Sequence, residues 1–167
     1  MKQPSIVKEE KTVDLSIDKV WQFIEPAANI AKWFPGAIYS EKISGEGVGR
    51  KQLMLTRFGK KEVETVQEVV EYDFQKRIKW KQLRETIKGK DLPAKEVYFS
   101  IDLNAAGEKT RITLQSGEGN RTGWKPAFFK GNEQPKKEKI LNMAIDNIET
   151  GIRNPQFPQD SLMDALV

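Results

Sequence analysis

The sequence contains no cysteine and no histidine. The first absence excludes disulfides, thiolate nucleophiles and cysteine-ligated metals. The second excludes an imidazole base, any triad built on one, and His-bound zinc. Long apolar runs are missing too. No stretch approaches the roughly 18 consecutive apolar residues that read as a membrane-crossing helix. The opening Met1-Lys2-Gln3-Pro4-Ser5 carries no apolar run of the secretory type. A cytoplasmic protein with no membrane span is therefore expected, and the sequon Asn120-Arg121-Thr122 carries no weight there. Any chemistry must run on carboxylates, Lys, Arg, Tyr, Ser or Thr, and no metal or cofactor is expected.

What remains is 167 residues, 38% hydrophobic and 31% charged, with a net charge of +4. That length suits one domain, here expected over residues 1–153, with 154–167 as a C-terminal tail. Residues 42–90 hold an excess of cations, which raises the question of nucleic acid. The acids Glu62, Glu64, Glu68 and Glu71 interrupt any continuous phosphate track, and no nucleic-acid motif is present. A solvated basic sheet face is the better account, so no nucleic-acid partner is expected.

Periodicity orders the chain. Val7, Glu9, Lys11, Val13 and Leu15 alternate as in a half-buried strand. Ser16 is placed to cap a helix carrying Val20, Trp21, Phe23 and Ile24, with Asp18 in its first turn. Pro26 ends or restarts that helix, and a second short one is expected from Ala27 to Phe34, stopped before Pro35-Gly36. From Ala37 to about Gln115 the period is two, with strands expected at 37–43, 50–57, 60–72, 76–87, 94–104 and 109–116. Breaks as short as Phe58-Gly59 imply antiparallel hairpins. Gly45, Gly47 and Gly49 precede a strand and not a helix, so they read as a hairpin turn and not as a phosphate loop. Residues 117–135 are rich in glycine and carry Trp124, Phe128 and Phe129. A long helix follows from Lys136 to about Arg153, with Leu141, Ala144, Ile145, Ile148 and Ile152 on one stripe. The tail ends with Leu162, Met163, Leu166 and Val167, a segment that is either disordered or docks on something.

The segment Val13-Asp14-Leu15-Ser16-Ile17-Asp18-Lys19-Val20-Trp21-Gln22-Phe23-Ile24 resembles the opening of the SRPBCC superfamily (START/Bet v 1-like, polyketide cyclase/dehydrase-like). So do Trp33-Phe34-Pro35-Gly36 leading into Gly45-Glu46-Gly47-Val48-Gly49-Arg50, and Val66 to Asp73 followed by Arg77-Ile78-Lys79-Trp80. Lys109-Thr110-Arg111-Ile112-Thr113 fits a later strand. The resemblance implies an α+β helix-grip fold. In it a curved seven-stranded antiparallel sheet wraps a long C-terminal helix over a ligand tunnel, with two short helices after the first strand.

Aromatic residues at the expected interior and mouth are the candidate ligand contacts. Trp21 and Phe23 are taken as ordinary core. Trp33, Phe34, Phe99, Trp124 and Phe128 are candidates for lining a pocket, together with Ile101 and Leu114 on the later strands and Leu141 and Ile145 on the helix. Trp80, Gln82 and Arg84 share a strand face with Ile78 and Thr86. Either that face opens to a cavity, or Lys79, Lys81 and Leu83 are inside; the apolar members favour the first. An Arg84–Glu9 pair would then offer oriented charge to a ligand carbonyl or carboxylate, or an oxyanion stabiliser and a base in an enzyme. The reading adopted is binding of a small apolar or aromatic molecule, lipid- or polyketide-like. The alternatives are a cyclase/dehydratase-type enzyme using carboxylate, Arg and Tyr groups, or a cochaperone-like interaction domain whose tail meets a protein partner; a protein partner or a homodimer is allowed for in either case.

Overall fold

The computed structural model describes residues 6–93, 95–118 and 134–155. Strand β1 (Ile6–Val13) leads through Ser16 into α1 (Ile17–Ile24). Ser16 accepts from Lys19 N, and Asp18 sits in the first turn, where the helix dipole favours a negative charge. Val20, Trp21 and Ile24 form the buried side of α1. Pro26 separates it from a 3-10 turn at Ala27–Asn29 and the single-turn α2 (Ile30–Trp33).

Seven strands follow: β2 (Ala37–Ser44), β3 (Lys51–Phe58), β4 (Lys61–Asp73), β5 (Arg77–Ile87), β6 (Lys90–Asp91), β7 (Val97–Ala106) and β8 (Lys109–Glu118). The chain then continues to α3 (Gln134–Arg153). The strands pair antiparallel in the order β1-β8-β7-β5-β4-β3-β2, with β6 beside β5. This is the helix-grip architecture. The glycine-rich segment is a β2–β3 turn, with Gly45, Gly47 and Gly49 at φ of 78°, 62° and 94°, a region that side chains with a Cβ enter at a cost. The short β6 was not anticipated. It forms because Lys88 and Gly89 both take positive φ, the two-residue turn that suits a twisted hairpin.

One face of the sheet is dry. Val7 and Val13 of β1, Ile78 and Trp80 of β5, Ile101 and Leu103 of β7, and Ile112 and Leu114 of β8 are all buried. The α3 stripe Leu141, Ala144, Ile145 and Ile148 completes this core. Helix α3 packs on β1 and β8 and against α1 and α2. Asn147, buried to one side of that stripe, donates from Nδ2 to Trp33 O at 3.1 Å and ties α3 to the end of α2. Thr110 Oγ1 donates to Leu15 O at 2.7 Å and closes the crossing from β1 to α1.

The face assignment along β5 needs one correction. Val66 pairs with Arg84 but Gln67 pairs with Gln82, so Leu83 is an extra residue in the ladder. A bulge of this kind reverses the in–out alternation beyond it. Ile78, Trp80 and Gln82 share the inner face as expected, whereas Arg84 and Thr86 do not. Arg84 is more than half exposed and lies 3.9 Å from Asp91. The Arg84–Glu9 pair is not formed, because Arg84 is on the outer face beside Asp91, so the chemistry expected of that pair has no site here.

Candidate functional site

Alternation and register build the inner face as rows. Arg50, just before β3, and Gln52, Met54 and Thr56 on it are buried in alternate positions. Val69, Trp80, Phe99 and Ser116 follow one another across β4, β5, β7 and β8, and Arg50 O accepts from Val69 N. The next row is Lys42, Gln52, Gln67 and Gln82. Beyond it stand Ser40, Met54, Thr65 and Glu85. On the other side of the aromatic row lie Ile78, Ile101, Leu114 and Glu9. The interior surface is therefore apolar toward β7 and β8 and rich in amides toward β3 and β4.

Four of the residues singled out in the sequence meet in one aromatic cluster. Trp33 from α2 lies 6.3 Å from Trp80 and 6.1 Å from Phe99, measured between ring centres. Phe34 and Trp80 each lie 5.6 Å from Phe99. Ile101 and Leu114 are buried beside this cluster in the sheet, and Leu141 and Ile145 are buried on α3. Gln82 is half-buried in the amide row. Arg84 is on the other face. Trp124 and Phe128 lie outside the described residues.

Two groups that the sequence did not point to lie on the inner face, the first beside the cluster and the second beyond the amide row. Arg50 is only 2% exposed. Its Nε donates to Gln52 Oε1 at 3.3 Å and its Nη1 to Glu25 Oε2 at 3.2 Å. Tyr72 Oη donates to the same Glu25 oxygen at 3.0 Å, and burial together with that contact raises the phenol above its usual range. The second group is Glu85, brought inward by the bulge. Burial raises its carboxyl above the usual carboxylate range, against the opposing pull of Lys95. An arginine at the exit of a glycine turn reads as a surface residue. Its signal in the sequence is only that it begins the alternation Arg50, Gln52, Met54, Thr56.

Several donors here are unmatched. Among the described residues, Trp33 Nε1, Trp80 Nε1 and Arg50 Nη2 are buried without a hydrogen-bond acceptor. Buried polar groups are nearly always satisfied, and leaving one unsatisfied costs about 1–3 kcal/mol. Trp80 belongs to the inner face of the sheet and Arg50 to its edge, while Trp33 faces them from α2. No group of acidic side chains among the described residues could hold a metal ion, and none of their helices is long and apolar enough to cross a membrane. An open depression of about 450 Å³ by the β4–β5 turn, lined by Ile17, Phe74, Arg77 and Asp102 among others, contains none of the candidate ligand contacts.

The architecture recurs in solved structures. Ara h 8.0201 superposes with a TM-score of 0.66 at 16% identity, over 90% of this chain and 99% of its own. The major latex-like protein 151 of Panax ginseng gives 0.67 at 13%, over 88% and 96%. A START superfamily protein of Mycobacterium smegmatis gives 0.67 at 11%, over 90% and 99%. At such identities the likeness is one of fold. No curated protein matches the sequence. The family model described as "Polyketide cyclase / dehydrase and lipid transport" matches residues 5–136. With that match spanning most of the chain, and with the helix-grip sheet and its lined inner face in place, the protein belongs to the polyketide cyclase/dehydrase and lipid transport family.

Proposed function

We propose that this protein binds a small, largely apolar or aromatic molecule between the inner face of the sheet and α3. The observation that carries the reading is the cluster of Trp33, Trp80 and Phe99, in which both buried indole N–H groups have no acceptor among the described residues. A cluster serving only as core would place its indoles where the N–H finds a backbone carbonyl. A ring-bearing ligand admitted by movement of these packed rings would stack on them and supply the missing acceptors. The family description, with its polyketides and lipids, supports the same chemical class. The alternatives of the sequence reading have no comparable observation. The carboxylate–arginine pair suggested for catalysis is not formed, and the apolar residues of the tail that would meet a protein partner, Leu162, Met163, Leu166 and Val167, lie outside the described residues.

Native mass spectrometry of freshly purified protein is the direct test. A retained mass of a few hundred daltons, absent after extraction with organic solvent, is the expected result. Refilling the extracted protein should quench its tryptophan emission, because two of the four tryptophans stand in the site. Retention unchanged in a folded Trp80→Ala variant would place the ligand elsewhere and overturn the reading.

A further inference from the structure

The direction of the amide chain beside the aromatic cluster is set by arginine chemistry. A guanidinium only donates, so Gln52 must turn its oxygen toward Arg50 Nε. Its NH2 then points onward and donates to Gln67 Oε1 at 3.1 Å. Gln67, having spent its oxygen, is left with its NH2 as the free end of the chain. Arg50 Nη2 is unmatched at the other end, and the indole donors of Trp33 and Trp80 lie in and beside the adjoining row. No buried side-chain oxygen among the described residues is unmatched. The fully buried, unmatched side-chain atoms beside the aromatic cluster are thus all donors.

Charge narrows the partner further. Arg50 already has Glu25 at 3.2 Å, so the pair is close to neutral. A carboxylate or phosphate brought against it would add a desolvated negative charge with no counter-charge of its own. A neutral oxygen satisfies the donors and leaves the balance intact.

We propose that Arg50 and the Gln52–Gln67 amide chain form a subsite for the carbonyl-type oxygen of a neutral, ring-bearing ligand. The inference rests on the ligand-binding reading above and adds the class of ligand. Free fatty acids and plain hydrocarbons are the classes it rejects, the first for its charge and the second for its lack of acceptors.

Three probes of one skeleton test it: 9-fluorenone with a neutral carbonyl, fluorene with no acceptor, and fluorene-9-carboxylate with an anion. Binding is read by quenching of tryptophan emission. Fluorenone should bind about tenfold tighter than either of the others, the yield of one or two well-made hydrogen bonds. In a Gln67→Met variant that preference should fall to about twofold. Independently of any variant, the carbonyl stretch of bound fluorenone should lie at lower wavenumber than in hexane. Equal affinities for fluorene and fluorenone, preference for the carboxylate, or an unshifted carbonyl band would overturn this inference and leave ligand binding standing. Failure of all three probes to bind, with no retained mass in the native spectrum, would overturn both.

Discussion

Lys88 holds a φ of 51°, in the left-handed region where a Cβ meets its own backbone. The turn it makes with Gly89 allows β6 to pair with β5, and nothing about lysine favours that conformation. Lys88→Gly should therefore raise the free energy of unfolding by about 0.5–1 kcal/mol, read from urea denaturation at constant m-value. An unchanged or lower midpoint would mean that the turn carries no such strain. Single residues differ widely in how much of their role a sequence discloses. Trp33, Trp80 and Phe99 advertise themselves, because large aromatic rings at alternating or helical positions have few places to go but inward. Arg50 and Asn147 do not. Both are buried polar residues made tolerable by partners far away in the chain, Glu25 for one and the carbonyl of Trp33 for the other. No local pattern encodes that.

Strands and helices were legible to the extent that their period was. Every long strand and the three helices follow from alternation, turn residues and caps, with limits shifted by a few positions. The exception is instructive. Leu83 sits in a run whose pattern continues smoothly from Ile78 to Thr86, yet it bulges, and Arg84 and Glu85 exchange faces. A bulge is decided by the partner strand, here the pairing of Gln67 with Gln82, and so leaves no mark on β5 alone. Helix α3 raises a second point at this scale. Gly151 lies within it, and a Cβ there would stand 2.5 Å from Phe23 Cζ on α1. Glycine inside a helix ordinarily costs about 1 kcal/mol against alanine. Here the sign reverses, because the ring would have to move to admit a methyl group. Gly151→Ala should lower stability by about 1–3 kcal/mol. Adding Phe23→Leu should recover part of that loss, a coupling that a double-mutant cycle measures directly. Additive effects of the two changes would mean that the helices do not depend on this contact.

Across the whole molecule, the two halves of the sheet are used differently. Helix α3 presses on β1 and β8, where the inner face is mostly hydrocarbon, while Arg50 at the start of β3 and Gln52, Thr65, Gln67, Gln82 and Glu85 gather on β3, β4 and β5. A fold built only for stability would not collect amides and charge on its buried side, since each must be matched to avoid a penalty. The interior charge also gives the fold a pH dependence. Burial holds the Glu85 carboxyl above its ordinary range. A raised carboxyl binds its proton more readily folded than unfolded, so the folded state holds more protons between the two values. The stability this group contributes is complete below the ordinary carboxylate pKa and is lost as pH rises through the raised one. The exposed acids Glu46 and Glu71 shift the other way through their ion pairs, but solvent screens them and they contribute little. Glu85→Gln keeps the shape and removes the titration. Its unfolding free energy should match that of the parent at pH 4 and exceed it at pH 8, in paired urea titrations at constant salt. A variant that loses stability instead at pH 8 would show that the ionised Glu85 is favoured by its pairing with the buried Lys95, and that charge in this interior is matched where burial alone says it is not.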